Sequence, residues 1–442
     1  MTYGISPTVG IDFGTTNTVV AIAGADGEAV ILRFDAPTGE LTAFRSTLSF
    51  QLQHAVDDRP PERIVEAGPW AIDAYVEDAL ETRFIQSFKA FAASAAFTDT
   101  VIDNRRYKFE DLLSAFLLRL RHHGGEGMAT LPPRVIVGRP VTFAGGAPDE
   151  QLALKRYETA FSRLGFSDIR YAYEPVGAAF FFARTLETDA NVLVADFGGG
   201  TSDFSIVRFE QSPEGLRSTA LARSGVGVAG DAFDYRIIDQ LVSPELGKGG
   251  LYRTFGKALP IPQRYYAAFA RWDQLALLRA SRDMRDIRAL ARTAMEPEKL
   301  DRLIEILDDN HGYALYQAVS SLKMDLSLHE EATFSFVAGS VRIERSVTRT
   351  QFEGWIAPEL AAIKDAVDEA MDRSGLASDQ IDRIFLTGGT SFVPAVRDIF
   401  HRQFGPERIE TGGEFESIAS GLALIGRETN LDVWSEARSS SG

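Results

Sequence analysis

The chain has 442 residues, no cysteine and a formal charge of −16, from 62 acidic and 46 basic side chains. That length can bury two or more substantial cores, and 45% hydrophobic with 24% charged residues is the ordinary balance of a globular protein. Without cysteine there are no disulfides, no thiolate catalysis and no cysteine-ligated metal, and an acidic chain is not steered to nucleic acid or to anionic membrane. The N-terminus, MTYGISPTVGIDFG, lacks a basic stretch leading into an apolar core, and no apolar run approaches a membrane span. A cytoplasmic protein with no nucleic-acid or membrane partner is the expectation.

Residues 9–22, VGIDFGTTNTVVAI, read as strand, turn and strand, with a third meander strand at 29–34. Residues 36–65 read as loop and short strands, and 69–96 as helix, with Lys89 in QSFKAF. Apolar residues at helical spacing mark a helix over 106–122. A buried strand at 135–137 ends in Gly138-Arg139-Pro140, and a helix over 149–164 stops at Gly165. A strand at 169–172 leads to Glu174-Pro175 and a small-residue helix, Val176–Leu186. Then the opening pattern returns: NVLVADFGGGTSDFSIVRF, residues 191–209, is again strand, glycine turn and strand, with another strand at 216–222.

Residues 233–328 read as mostly helical, with Arg279, Arg282, Arg285, Arg288 and Arg292 at spacings of three and four. That stripe is a solvated face or, alternatively, a docking patch for an acidic partner. A hairpin around Gly339 follows, then a helix over 353–374. The strand 382–387 runs into Gly388-Gly389-Thr390, a helix follows from Pro394 to Phe404, and the last helix spans about 416–427. The final stretch, 431–442, is expected to be a disordered tail.

Two strand–turn–strand units sharing D-F-G-x-[GT]-[TN], with Asp12 and Asp196 in equivalent places, indicate an internal duplication. Each is followed by strand–helix alternation, an α/β plan. This is the pattern of the actin-like ATPase fold: two duplicated, ribonuclease H-like lobes with a nucleotide cleft between them. Glycine-rich turns let backbone N–H groups approach an anion, so Gly14, Thr15, Thr16 and Asn17 on one side, and Gly198, Gly199, Gly200 and Thr201 on the other, would cradle phosphates. Asp12 and Asp196 are magnesium candidates, directly or through water; the alternative is that each caps its own turn. Gly225–Gly230 matches G-x-G-x-x-G without a preceding βαβ strand. It reads as a loop opening a helix, with Gly230 and Asp231 near phosphate or ribose. Gly388, Gly389 and Thr390 suit a nucleoside, or are a plain strand-to-helix turn. No P-loop, H-E-x-x-H or G-x-S-x-G motif is present.

On these residues the chain resembles the heat-shock 70-kDa (DnaK-type) chaperone family, in its nucleotide-binding domain only, over roughly residues 8–427. IDFGTTNT is similar to the family's first phosphate motif, VLVADFGGGTSDFSI to the second, YEPVGAA to the connecting segment and FLTGGTSFVP to the adenosine motif. Among family members it is most like the short bacterial YegD-like proteins. The resemblance implies ATP or ADP with magnesium as cofactors and slow hydrolysis of ATP. It assigns Lys89 to the γ-phosphate and attacking water, Glu174 to water near the metal, and Asp12 and Asp196 to the hydrated ion. Thr201 is assigned to the γ-phosphate, Asp203 to the support of that loop, and Pro140 to a relay between lobes. Lys323 and Ser327 match an adenine helix, in which Ser320 and Met324 replace a glutamate and a stacking arginine. Phe392 and Phe415 likewise replace an arginine and an aspartate.

The expected organisation is lobe I over 1–187 and lobe II over 188–430, with a helical adenine subdomain at about 230–330 and the adenosine motif at 385–394. No linker to a peptide-binding domain is recognisable in ETNLDVWSEARSSSG, so the expectation is a chaperone-related nucleotide switch without that domain, acting on a protein partner or co-chaperone. The alternatives are a nucleotide-binding module without significant hydrolysis, an actin-fold small-molecule kinase and an actin-like filament.

Overall fold

Alternation of apolar residues along Val9, Ile11 and Phe13 sets the register of the first strand, because those three side chains are fully buried on one face. The protein is described by a computed structural model covering residues 7–24, 26–36, 39–53, 62–78, 81–145, 147–184, 186, 188–212, 215–271, 278, 281–410, 416–428 and 430–435. The chain divides into two compact units, one of residues 1–229, 362–391 and 397–442, the other of 230–361 and 392–396.

The first unit holds two mixed sheets. One contains β1 (Thr8–Phe13), β2 (Asn17–Ala23), β3 (Ala29–Ile31), β4 (Arg134–Arg139) and β5 (Asp168–Tyr173), in the order β5-β4-β1-β2-β3. The other contains β6 (Ala190–Phe197), β7 (Ser202–Ser212), β8 (Gly215–Val226), β9 (Arg383–Thr387) and β10 (Ile409–Glu410), in the order β8-β7-β6-β9-β10. In both, a three-stranded antiparallel meander is extended by two parallel strands on the far side of its first strand. The same order and directions thus occur twice.

Two helices, Glu174–Ala183 and Ser417–Ile425, are almost wholly buried and pack against each other. Their small residues allow close contact, and they share one core with Ala21 and Ile136 of the first sheet and Val192 and Val194 of the second. The opposite face of the first sheet packs Val9, Ile11 and Phe13 on the helices Phe109–His123 and Glu150–Leu164. Gly165, at φ +118°, ends the second of these where expected.

Three stretches depart from the sequence expectation. The helix read over 69–96 ends at Glu77; Thr82–Gln86 is a strand paired with Thr47–Gln53, and Phe88–Phe91 is a 3₁₀ turn. Thr82, Phe84 and Ile85 favour a pleated surface, and tertiary pairing overrides a weak helical pattern. The disorder expected from 431 does not hold at its start, since Leu431–Trp434 forms a helical turn and the Trp434 ring packs 4.8 Å from that of Phe180. Residues 436–442 lie outside the described residues.

The third departure is in the second unit, where the described residues of 233–328, mostly helical, also include a two-stranded hairpin, Leu251–Thr254 with Lys257–Pro260, turned by Phe255-Gly256. Gly256, at φ +76°, and the prolines at 260 and 262 exclude a helix there. Helices Arg282–Ala291, Pro297–Asp308 and Gly312–Leu328 follow, with the hairpin Glu331–Ala338 and Val341–Thr348. Arg282, Arg285, Arg288 and Arg292 are exposed, opposite buried Met284, Ile287 and Ala291, as an amphipathic helix requires. Arg279 lies outside the described residues.

Candidate functional site

The two glycine turns are closed in the same way. The Gly14 N–H donates to the Asn17 carbonyl at 3.0 Å, and the Gly198 N–H donates to the Thr201 carbonyl at 2.9 Å. Asp12 and Asp196 each stand two residues before that glycine, facing Val19 and Asp203 across the ladder. The turns approach each other: a Cβ on Gly200 would lie 3.8 Å from the Thr15 hydroxyl oxygen. The first turn is braced from outside by Ser46, whose hydroxyl donates to the Gly14 carbonyl at 2.7 Å and whose N–H donates to the Thr16 carbonyl at 2.9 Å.

Four carboxylates and one ammonium gather at these strand ends. Lys89 enters on the 3₁₀ turn after Ser87, which is held at φ +51°, and its Nζ donates to Glu174 Oε1 at 2.8 Å. Both side chains are over nine-tenths buried. Burial alone would pull the Lys89 ammonium down, but Glu174, Tyr157 and Asp12 outweigh it and hold it above the ordinary lysine range.

The aspartates go the other way. Burial, with repulsion from Glu174, raises the Asp196 carboxyl to about 7, although the Thr387 hydroxyl, donating to its Oδ1 at 2.7 Å, and Lys89 oppose the shift. Asp12 is raised well above the carboxylate range by burial and by Glu174 and Asp196, with only Lys89 against it. No hydrogen bond to the Asp12 carboxylate occurs among the described residues. Asp203 is raised by burial, Glu174 and Asp196, even though its Oδ1 accepts the N–H groups of Val141 at 2.8 Å and Thr142 at 3.1 Å.

Four acidic groups with one cation leave surplus negative charge in a desolvated place, and an oxygen donor set of this kind is what a hard divalent cation relieves. The unbonded Asp12 carboxylate, the second oxygen of Asp196 and Asp203 Oδ2 are open oxygen donors among the described residues, so the residues fit magnesium.

Other expected site residues fall into two groups. In the first unit, Thr390 is buried, and Gly388, at φ +81°, touches the second hairpin so closely that a Cβ would sit 2.0 Å from the Phe197 carbonyl oxygen. That packing by itself requires glycine. In the second unit, Gly230 and Asp231 open the helix Gly230–Ile237, and Lys323 pairs with Asp234 at 2.7 Å. The Ser327 hydroxyl donates to the Lys323 carbonyl within its own helix. Met324 is 64% exposed and Phe392 43%; Phe415 lies outside the described residues.

Sequence reasoning missed Tyr157 and Thr387. Tyr157 is fully buried with no hydrogen bond to its hydroxyl, and burial, countered by Lys89, pushes it above the ordinary tyrosine range. In sequence it occupies an apolar-stripe position with Ala153, Ala160 and Phe161, indistinguishable from core. Thr387 had a signal, as the last strand residue before two glycines.

The family model described as "Hsp70 protein" matches residues 157–249 and 288–429, more than half of the chain. Among curated proteins, the chaperone protein DnaK of Thermus thermophilus is 24% identical over 94% of this chain and 60% of its own length. Those of Mycoplasmopsis synoviae and Deinococcus proteolyticus are 23% and 24% identical, over 95% and 94% of this chain and 58% of theirs. The chain therefore spans about three fifths of the length of the curated relatives it matches. No helix among the described residues is long and apolar enough to cross a membrane. With the twice-used strand order, the paired glycine turns and a family match on both sides of residue 250, the chain belongs to the Hsp70 protein family.

Proposed function

We propose that the protein is an ATP-binding nucleotide switch with slow, magnesium-dependent hydrolysis, built as two duplicated lobes over 1–187 and 188–430 in the actin-like manner. The observation that carries this reading is the buried Lys89–Glu174 pair set among Asp12, Asp196 and Asp203 at the ends of two equivalent glycine turns. Phosphoryl transfer to water needs positioning and charge neutralisation rather than covalent help; this cluster would supply the positioning, and the neutralisation would come from Lys89 together with the magnesium that the carboxylates would hold. N–H groups of Gly14–Asn17 and Gly198–Thr201 would hold the phosphates, with the Thr15, Thr16 and Thr201 hydroxyls. Asp12 and Asp196 would hold magnesium, directly or through water; when bound, the ion neutralises phosphate charge. Lys89 would face the γ-phosphate, and Glu174, its partner, would orient the attacking water. Gly230, Asp231, Lys323, Ser327, Gly388, Gly389 and Thr390 would serve the nucleoside, and output would pass to a protein partner or co-chaperone.

A second reading, nucleotide held without turnover, draws on one observation: the Lys89 ammonium is already engaged by Glu174. Calorimetry with ATP and ADP, with and without magnesium, beside single-turnover phosphate release, separates the two. Magnesium-dependent binding with slow release, both lost in Asp196→Asn, is the expected result. Binding without release supports the second reading, and no binding ends both.

A further inference from the structure

Tyr173 is the last residue of β5 and immediately precedes Glu174, so wherever its ring is held, the Glu174 backbone follows. Two arginines hold it. The Arg139 guanidinium lies 4.7 Å from the ring centroid and the Arg223 guanidinium 4.1 Å. These distances are well inside the range of cation–π attraction, which strengthens when the partners are desolvated. Arg139 is 3% exposed, stands opposite Tyr173 in the β4–β5 ladder and directs its Nη2 to Glu150 Oε2 at 2.7 Å. Arg223 comes from the other sheet, on β8, and its Nε is buried with no hydrogen-bond partner. A buried guanidinium N–H left unsatisfied is costly, and the face of the Tyr173 ring is the favourable contact this guanidinium makes.

A second tie runs beside the first. The Val141 and Thr142 N–H groups, just past Arg139-Pro140, both donate to Asp203 on β7. The helix that begins at Glu174 has no side-chain cap at Tyr173 to fix its first turn. Pro175 stands in that first turn, and the Tyr173 ring lies immediately before it.

We infer that the Arg139–Tyr173–Arg223 cluster positions Glu174, and through it Lys89, from both sheets at once, making Tyr173 a positioning residue of the hydrolytic site. The inference rests on the ATPase reading for its catalytic consequence, but not for its structural part. Removing the ring would let Glu174 wander while the phosphate turns stay intact, so rate is lost and affinity kept. The Tyr173 hydroxyl plays no part, and phenylalanine suffices.

The test compares Tyr173→Leu, Tyr173→Phe and Arg223→Met by single-turnover phosphate release and by ATP calorimetry. Tyr173→Leu is expected to slow release at least tenfold with the ATP Kd within twofold. Arg223→Met should do the same more weakly, and Tyr173→Phe should keep the wild-type rate. Equal losses in the Leu and Phe variants, or a wild-type rate in Tyr173→Leu, would overturn the inference. If the wild-type protein releases no phosphate, the ATPase reading fails separately. A thermal-melt cycle between Tyr173→Leu and Lys89→Met then decides: non-additive shifts support the positioning link, and additive shifts refute it.

Discussion

The two glycine hairpins share strand order, turn closure and an aspartate two residues before the glycine, yet they are held differently. The second is built into its surroundings. Asp196 accepts a hydrogen bond from Thr387, its ladder partner Asp203 accepts two backbone N–H groups from the Pro140 loop, and the Gly388 backbone abuts Phe197. The first is braced mainly from outside, by Ser46 on its turn, and its Asp12 carboxylate has no hydrogen bond among the described residues. Where the second hairpin has Asp203, the first has Val19. The same strand order thus has two differently held halves, one tied into the neighbouring segments and one whose aspartate is unbonded among the described residues.

Removing the cation that both halves share tests this division most severely. Lys89→Ala leaves Glu174 buried and unpaired, which costs about 3 kcal/mol of stability, and on the proposed ATPase reading it takes away the positive charge that would face the γ-phosphate. Single-turnover phosphate release is expected to fall by about 10²–10³-fold, with circular dichroism confirming that the variant folds. Retained release would remove Lys89 from the chemistry.

The aspartates come next. Asp12→Asn removes a repelled carboxylate that no hydrogen bond compensates, so the nucleotide-free protein should gain about 1 kcal/mol while magnesium no longer tightens ATP binding. Asp196→Asn should lose the same magnesium effect with a smaller gain, because Thr387 already stabilises that carboxylate. Urea unfolding and calorimetry read both, and equal gains would contradict the asymmetry.

A third comparison is steric. A Cβ on Gly14 would meet the Asn17 carbonyl oxygen at 2.3 Å, whereas on Gly198 it would meet that of Thr201 at 3.3 Å. Gly14→Ala should therefore cost about 3 kcal/mol and Gly198→Ala under about 1 kcal/mol in urea midpoints. The reverse order would mean that the first turn yields more readily than its packing indicates.

Much of this was readable in the sequence, because the informative residues announce themselves by spacing. D-F-G with small residues after it, twice, locates both turns and both aspartates, and strand periodicity places the meanders. What was not readable depends on partners far away in sequence. Thr82–Gln86 pairs with a strand about 35 positions earlier, and nothing local distinguishes it from a continuing helix. Tyr157 looks like any apolar-stripe residue until the fold puts Lys89 and Glu174 within its electrostatic reach. Tyr173 and Arg223 are separated by fifty residues and carry no motif, so only the meeting of β5 with β8 makes them neighbours. Lys89 and Glu174 required the family resemblance, since a lone lysine and a lone glutamate are ordinary surface residues until they are found buried against each other.

The smallest expected effect belongs to the first hairpin alone. Its outer brace is the segment Phe44–Ser46; Phe44 pairs with Thr18 and packs 6.2 Å from the ring of His123, which is stacked on Trp70 at 3.5 Å. Burial, with Arg119 nearby, lowers the His123 imidazole to about 4, although its Nε2 is 2.9 Å from Glu66 Oε2. Between that value and the ordinary histidine value near 6.5 the unfolded chain binds a proton that the native protein refuses, so stability falls as pH drops through this window. Below about 4 both states are protonated and the loss is complete. His123→Phe keeps the stack on Trp70 and removes the titration, so its melting temperature should fall less than that of the wild type between pH 7 and pH 4.5. Among the described residues the second hairpin has no such brace, and the same substitution should leave the coupling of Asp203 to Val141 and Thr142 untouched. Amide exchange at those two N–H groups reads that directly. If their protection fell with that of the Phe44–Ser46 segment on acidification, the two hairpins would be a single cooperative element, and the division of roles between them would not hold.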